Sequence, residues 1–103
     1  MIDESGARVG DAPRVSEAQI DAVIPSDSVQ YHRFPGTTVT VCCITLINGY
    51  AVLGESACVS PENFDEELGR RIAYNAARDK IWPLEGYRLR VELSEREGNA
   101  PER

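Results

Sequence analysis

The dipeptide Asn48-Gly49, placed between two runs of β-branched and apolar residues, constrains the fold more than any other feature of this chain. Both residues tolerate the positive φ angles of a type I′ turn, and apolar runs on either side are typical of a β-hairpin. The pattern therefore predicts two antiparallel strands within residues 37–59. With a two-residue loop, Ile47 pairs with Tyr50 and the remaining register follows.

This register sorts the hairpin side chains onto two faces. One face holds Val39, Val41, Cys43, Thr45 and Ile47 opposite Cys58, Ser56, Gly54, Val52 and Tyr50. The other holds Thr38, Thr40, Cys42, Ile44 and Leu46 opposite Val59, Ala57, Glu55, Leu53 and Ala51. Both faces carry apolar residues, which favours a sheet covered by a helix on one side and by a second subunit on the other. We therefore expect a homo-oligomer.

A short helix precedes the hairpin. Ser16 and Gln19 match the capping-box pattern, and apolar residues follow at helical spacing until Pro25. The pattern predicts a helix over residues 16–24. Because two turns are not stable alone, we expect its apolar face to dock on the rest of the domain.

A longer helix follows the hairpin. Ser60 as N-cap and Pro61 at the first helical position predict its start, and it must end before Pro83 because the residue before proline is disfavoured in the α region. At 100° per residue its core face consists of Phe64, Leu68, Gly69, Ile72, Ala73 and Ala76. Residues 82–86 then predict a tight turn, and the alternation of apolar and charged residues over 87–93 predicts a third strand.

Together these elements predict a single α+β domain, in which an antiparallel β-hairpin and a third strand pack on one main helix, with a short N-terminal helix. The 103 residues divide into a flexible acidic arm over 1–14, the α+β domain over 15–93 and a polar tail over 94–103. No apolar run approaches the roughly 20 residues that span a bilayer, so we expect no membrane association.

The net charge of −6 is unevenly distributed. Residues 1–30 carry six acids and two bases, whereas residues 31–93 carry eight acids and seven bases. The overall sign argues against a general nucleic-acid binder, but the nearly neutral middle leaves room for a local anion site. The N-terminus lacks the basic start and apolar stretch of a secretory signal, so we expect an intracellular protein.

The three cysteines, Cys42, Cys43 and Cys58, lack the paired spacing of a disulfide framework or a zinc knuckle. In the predicted register Cys43 and Cys58 lie about 13 Å apart along the strands, so we expect free thiols. The single histidine, His32, makes a catalytic triad improbable. We therefore expect no enzyme, no catalytic residues, no metal and no cofactor.

Several segments together resemble a known family. They are Tyr31-His32-Arg33-Phe34-Pro35-Gly36-Thr37-Thr38, Thr40-Val41-Cys42-Cys43, Asn48-Gly49, Gly54-Glu55-Ser56-Ala57-Cys58, Asn63-Phe64-Asp65 and Lys80-Ile81-Trp82-Pro83-Leu84-Glu85-Gly86-Tyr87. Over residues 16–93 the chain resembles a family of small tailed-phage proteins catalogued as Gp-forty-nine-like. The resemblance implies a phage or prophage accessory protein that acts in the host bacterial cytoplasm, and it carries over no catalytic residues.

The main candidate site lies at the edge of the predicted apolar face of the long helix. Phe64, Arg71, Asn75 and Arg78 fall there within about 40° of one another on a helical wheel. An aromatic ring can stack on a base, and guanidinium groups bind phosphate with two parallel hydrogen bonds. The competing interpretation is that Phe64 belongs to the core and that the arginines pair with acids such as Glu67.

Two further segments are candidates. In the segment 54–56 a mid-strand carboxylate, Glu55, needs a partner such as Arg88 or Arg90. It is either part of a site or a structural ion pair, within one subunit or across a subunit interface. The segment 31–36 can line a pocket or close the end of the sheet, and we favour the second.

These observations favour a ligand-binding module. We expect a phage anti-defence protein that sequesters an anionic, nucleotide-derived signalling molecule without catalysis. The alternative is a small acidic inhibitor of a host enzyme or nucleic-acid-binding protein, because the acidic N-terminal segment favours fast, salt-sensitive association.

Overall fold

The computed structural model describes residues 2–3, 6–7 and 14–97. Its elements are β1 (Ile2–Asp3), β2 (Gly6–Ala7), α1 (Glu17–Ala22), β3 (Val29–Arg33), β4 (Val39–Thr45), β5 (Ala51–Ala57), a 3-10 turn (Pro61–Asn63), α2 (Glu66–Asp79) and α3 (Ile81–Arg96). Strands β3, β4 and β5 form an antiparallel sheet in that order, and β1 pairs with β2. The predicted α+β class is confirmed. The flexibility of the 1–14 arm stays a prediction, because most of the arm lies outside the described residues.

Helix α1 begins with the predicted capping box. Ser16 Oγ accepts a hydrogen bond from the Gln19 amide at 3.3 Å, and the Gln19 side chain accepts one from the Ser16 amide at 2.9 Å. Ile20 on this helix is fully buried. The Ile47 amide, at the tip of the hairpin, donates to the carbonyl of Val23 at 3.0 Å, so α1 and the hairpin are joined directly.

The hairpin forms, but its predicted register is wrong by one residue. Thr45 pairs with Ala51, and the amide of the next residue, Leu46, donates to the Tyr50 carbonyl at 2.7 Å, which leaves a three-residue loop. Gly49, the last loop residue, has φ +91°, as three-residue hairpin loops require. A one-residue shift turns every β5 side chain to the other face relative to β4. The buried face therefore combines Thr40, Cys42 and Ile44 with Ser56, Gly54 and Val52.

Helix α2 packs across β4 and β5 on this buried face. The opposite face of the sheet carries Gln30, His32, Val39, Val41, Cys43, Thr45, Ala51, Leu53, Glu55 and Ala57. Leu53 on that face is 52% exposed, so within the described chain this side of the sheet is open. The second subunit predicted to cover it stays a prediction.

Helix α2 begins five residues later than the sequence predicts. Ser60 makes no capping bond, residues 61–63 form the 3-10 turn, and Phe64 has an extended backbone with φ −69° and ψ 129°. Asp65 is the N-cap instead, and its carboxylate accepts hydrogen bonds from two amides of the first turn at 3.0 and 3.2 Å. The helix starts where a side chain satisfies its free amides.

The buried stripe of α2 consists of its smallest side chains. Gly69, Ala73 and Ala77 are buried against the sheet, whereas Leu68 and Ile72, which the sequence places in the core, are 42% and 47% exposed. The sequence therefore predicted the burial of Gly69 and Ala73 correctly. Its prediction that Leu68 and Ile72 are buried is wrong. The backbone of α2 lies so close to the sheet that only small side chains fit between them.

Gly54 makes this close approach possible from the side of the sheet. A Cβ atom at Gly54 would overlap the backbone nitrogen of Ala77 and the backbone oxygen of Ala73, and would lie 2.8 Å from the carbonyl carbon of Ala76. Two residues along β5, the hydroxyl of Ser56 donates to a carbonyl of α2 at 2.8 Å. The mid-strand glycine thus marks an approaching helix backbone.

The predicted turn over 82–86 and the strand over 87–93 are wrong, because both segments lie within α3. Pro83 is tolerated since it occupies the first turn, where the amide has no partner within the helix. Arg88 bonds to Glu85 at 2.7 Å and to Glu92 at 3.1 Å, at helical spacings of three and four residues. The helix continues to Arg96, so the first residues of the predicted polar tail are helical.

The third strand of the sheet is β3, in a segment for which the sequence predicts no strand. It pairs antiparallel with β4, so Tyr31 lies opposite Cys42 and Arg33 lies opposite Thr40. The buried core between the sheet and the helices consists of Ile20, Val23, Cys42, Ile44, Leu46, Val52, Ala73, Ala77 and Ile81.

Candidate functional site

Arg78, one of the four predicted site residues, joins two helices. Its guanidinium bonds to Asp21 at 2.7 Å and to Glu17 at 3.3 Å, and its side chain is only 16% exposed. The hydrogen bond to Asp21 outweighs the effect of burial and raises the pKa of Arg78. Arg78 therefore links α2 to α1 through ion pairs with two acids of α1.

The other three predicted site residues do not share one surface. Phe64 precedes α2 and is half-buried, with the Arg33 guanidinium carbon 4.5 Å from its ring centroid. Arg71 and Asn75 are exposed on α2, at spacings that place them on the same side of the helix as Arg78. Since Phe64 is not helical, the predicted arc of four residues is not formed.

A different set of polar residues surrounds a small cleft between β3, β4 and the first turns of α2. The cleft has a volume of about 110 Å³ and is lined by Tyr31, Arg33, Thr40, Glu66 and Arg70. The side chains of Tyr31 and Arg33 lie on the face of the sheet that α2 covers, because their β4 partners face that helix. The strand pairing therefore brings residues that are distant in the sequence to one place.

Thr40 is the unusual member of this set. The residue is 2% exposed, and its Oγ1 is buried with no hydrogen-bond partner among the described residues. Leaving a buried hydroxyl unsatisfied costs about 1–3 kcal/mol. Because Oγ1 has almost no accessible surface, a group in the cleft can reach this hydroxyl only if the Thr40 side chain rotates toward it.

Two guanidinium groups stand over the same cleft. Arg33 is exposed, and its Nε donates to the Thr37 carbonyl at 3.1 Å, which holds the planar group over the ring of Phe64. Arg70, with a side chain 42% exposed, contacts Glu66 at 3.4 Å. By formal charge the lining carries two cations and one anion, so the cleft attracts anions.

Tyr31 adds a neutral hydrogen-bonding group. Burial, followed by the influence of Cys42 and Tyr74, raises the pKa of Tyr31, while Arg70 partly opposes this effect. The phenol is therefore protonated at neutral pH. It therefore brings no negative charge to the cleft, and its hydroxyl already interacts with the Cys42 side chain.

A second, larger cleft lies on the other side of Arg33. It has a volume of about 360 Å³, and Phe64, Pro61 and Val59 are among the residues that line it. Arg33 lines both clefts, so its guanidinium stands between a small polar space and a larger, more apolar one. One ligand can contact Arg33 from both sides.

The comparison with protein families identifies the chain. Residues 15–93 match the family described as Phage protein (N4 Gp49/phage Sf6 gene 66) family. The chain belongs to this phage protein family. The resemblance seen in the sequence is thus confirmed. No curated protein and no solved structure matches the chain.

The cleft lies entirely within the part of the chain that matches the N4 Gp49/Sf6 gene 66 family. Sequence reasoning singled out the segment 31–36 but favoured a role in closing the sheet, and it did not select Thr40 or Arg70. The segment divides between strand β3 and a turn with Gly36 at φ +79°. The signal that could have found the cleft is the alternation of Tyr31 and Arg33 in an unrecognised strand.

In this phage protein Glu55 pairs with neither Arg88 nor Arg90 within the described residues, and its pairing across a subunit interface stays a prediction. Glu55 is exposed on the open face of the sheet, and its two proposed partners bond within the C-terminal part of the chain. Arg88 bonds to acids of α3, and Arg90 bonds to Glu97 at 3.2 Å. The strand carboxylate therefore contributes nothing to the cleft.

The cysteines are free, as the sequence predicts. Cys42 is buried, and Cys43 and Cys58 are half-buried. Among residues 14–97, no cluster of three or more His, Cys, Asp or Glu side chains has the arrangement of a metal site. None of the helices in the described part of the chain has the length and apolar character needed to cross a membrane.

Proposed function

We propose that this phage protein binds and sequesters an anionic, nucleotide-derived signalling molecule without catalysis, as an anti-defence protein in the host cytoplasm. The observation that carries the proposal is the convergence of two guanidinium groups, Arg33 and Arg70, on one small cleft. Guanidinium groups bind phosphate with directional, charge-assisted hydrogen bonds, and a neutral hydroxyl adds a further bond.

In this proposal each cleft binds a different part of the ligand. The smaller cleft suits a phosphate group, and the larger one beside Phe64 accommodates the attached nucleoside part. Arg33 already stacks on Phe64 with one face, so its other face can stack on a base. This arrangement supports recognition of a molecule that carries both a phosphate and an aromatic ring.

The groups around the small cleft are suited to holding a ligand. Its lining provides two arginines, two hydroxyls and a single carboxylate, and the Tyr31 phenol is protonated at neutral pH. His32, the one histidine of the chain, lies on the opposite face of the sheet. These features support sequestration without turnover, because a nucleophile with an adjacent base is not assembled at the cleft.

Isothermal titration calorimetry with the full chain tests the proposal. The probes are inorganic phosphate, cyclic dinucleotides and trinucleotides, and ADP-ribose derivatives. Removing either charge, by Arg33→Gln or Arg70→Gln, should weaken binding about tenfold or more. Glu66→Gln should tighten binding, because it removes the carboxylate that competes for Arg70.

Thr40→Val distinguishes a binding role from a structural one. The substitution keeps the shape and removes an unsatisfied buried hydroxyl, so it should raise the free energy of unfolding by about 1 kcal/mol while weakening ligand binding. Arg71→Gln, on the exposed side of α2, is the matched control and should leave affinity unchanged. Absence of binding across the whole panel refutes the proposal. Deleting residues 1–14 should not affect ligand binding, whereas an inhibitor that acts through the acidic arm would lose its activity.

A further inference from the structure

Helix α3 presents an apolar stripe to solvent. Leu84, Tyr87 and Val91 are 38%, 74% and 37% exposed. Their spacings of three and four residues are those of the a and d positions of a heptad, so the three side chains form one line along the helix. Such a stripe on a surface helix fits another helix.

The rest of the described chain does not use this stripe. Ile81, Trp82 and Glu85, at the start of α3, are the residues through which the helix packs on the domain. Farther along, the hydrogen bonds of Arg88 and Arg90 go to acids of the same C-terminal segment. Taking 100° per residue, the stripe lies about 100° around the helix from the Ile81 and Glu85 side. A second helix can therefore lie along it without disturbing the core.

Charges beside the stripe indicate what this second helix is. Arg90 and Glu95 occupy the g and e positions of the heptad that places Leu84 and Val91 at a. In a parallel pair of identical helices, each g residue meets the e residue of the following heptad on the other helix. Arg90 of each copy would then meet Glu95 of the other, twice by symmetry.

The opposite orientation is disfavoured by the same charges. An antiparallel pair centred on the stripe would set Arg88 and Arg90 of the two copies against each other. Glu95 makes no ion pair among residues 14–97, and Arg90 holds Glu97 through an exposed contact at 3.2 Å. Exposed ion pairs contribute little, so Arg90 can exchange its partner at small cost.

We propose that a second copy of this chain docks on α3, through parallel, in-register pairing of Leu84, Tyr87 and Val91 with their counterparts. The proposal goes beyond the anion cleft and does not depend on it, because the cleft lies between β3, β4 and α2. It assigns the expected homo-oligomer to α3, since the charges beside this helix match a second copy.

Sedimentation velocity over a range of protein concentrations tests the interface. The natural chain should form a dimer, and Tyr87→Glu should sediment as a monomer, because it puts two carboxylates into the stripe. Tyr50→Glu is the matched control, since Tyr50 is also an exposed aromatic residue, at 57%, but lies beside the hairpin loop. Circular dichroism confirms that both variants fold. A natural chain that is monomeric at every concentration overturns the proposal, as does a Tyr87→Glu variant that remains dimeric.

Charge exchange tests the orientation. Arg90→Glu and Glu95→Arg should each weaken the dimer roughly tenfold or more, because each turns two attractive contacts into two repulsive ones. The double variant Arg90→Glu/Glu95→Arg should recover the dimer, since the complementary pairs are restored in the reverse sense. A double variant as weak as the single ones refutes the parallel pairing. Calorimetric binding of phosphate probes is measured in parallel and should be unaffected in all these variants.

Discussion

Replacing Gly54 by alanine tests the packing of the domain at its tightest point. The new Cβ atom would overlap backbone atoms of Ala73 and Ala77 in α2 and lie 2.8 Å from a third backbone atom. Backbone atoms cannot rotate away as the end of a side chain can. The helix as a whole must therefore move off β5, which also loosens the buried stripe of α2.

The expected cost follows from this geometry. Adding a methyl group to a well-packed core typically costs 1–3 kcal/mol, and contact with backbone places Gly54→Ala at about 3 kcal/mol before compensation. Alanine in mid-strand regains about 0.5–1 kcal/mol through its smaller loss of chain entropy. The net loss is therefore about 2–2.5 kcal/mol, a large share of the roughly 5–15 kcal/mol that stabilises a typical domain.

Urea unfolding followed by circular dichroism measures this loss. With a slope of about 1–3 kcal/mol per molar urea, the midpoint of Gly54→Ala should fall by roughly 0.7–2.5 M. Gly86→Ala is the matched control. Gly86 lies inside α3, and a Cβ atom there would meet nothing within 4 Å, so this substitution should stabilise the protein by about 0.5–1 kcal/mol. A midpoint for Gly54→Ala within error of the natural chain would refute the close approach of α2 to β5.

Four further outcomes can be checked. Arg78→Ala should cost about 1 kcal/mol in urea unfolding at low salt and less at high salt, because its partners are exposed, whereas Arg71→Ala should change stability by less than about 0.5 kcal/mol. Burial, followed by the influence of Cys43, raises the pKa of Cys42, so iodoacetamide should label Cys58 well before Cys42 in the folded protein, and equal rates by mass spectrometry would contradict this. The stability linked to the raised pKa of Cys42 is present below the unfolded thiol pKa of about 8.5 and should be lost as the pH rises through the folded value. Gly49→Ala should destabilise the hairpin by about 1 kcal/mol and Gly49→Asn by less, as measured by thermal unfolding, because φ is +91° at this position.

Local sequence signals predicted the elements that depend on near neighbours. The capping box of Ser16 and Gln19 forms as expected, and the runs around Asn48-Gly49 form a hairpin. Glu66 and Arg70, four residues apart on α2, form the ion pair that helical spacing favours. Each of these features lies within a few residues, so the chemistry that produces it is visible in the sequence.

The candidate site could not be predicted in the same way. Of the four residues chosen from the helical wheel, Phe64 precedes the helix and Arg78 is occupied by acids of α1. The cleft that the structure shows depends on Arg33 lying opposite Thr40 across two strands, and on the start of α2 at Glu66. Helical spacing alone predicts neither the pairing of the two strands nor the residue at which the helix begins.

The sequence by itself determined an α+β domain, its capped first helix, its hairpin and its free cysteines, because these follow from local propensity, turn chemistry and composition. Only the tertiary structure decided the hairpin register. The Ile47 amide bonds to the Val23 carbonyl of another segment, and the loop takes a third residue. Tertiary packing also decided that residues 81–96 are helical, since alternating apolar and charged residues satisfy either a strand or a helix until a partner surface selects one. The burial of small residues against Gly54 was also decided by tertiary packing, because it depends on how closely two distant segments approach.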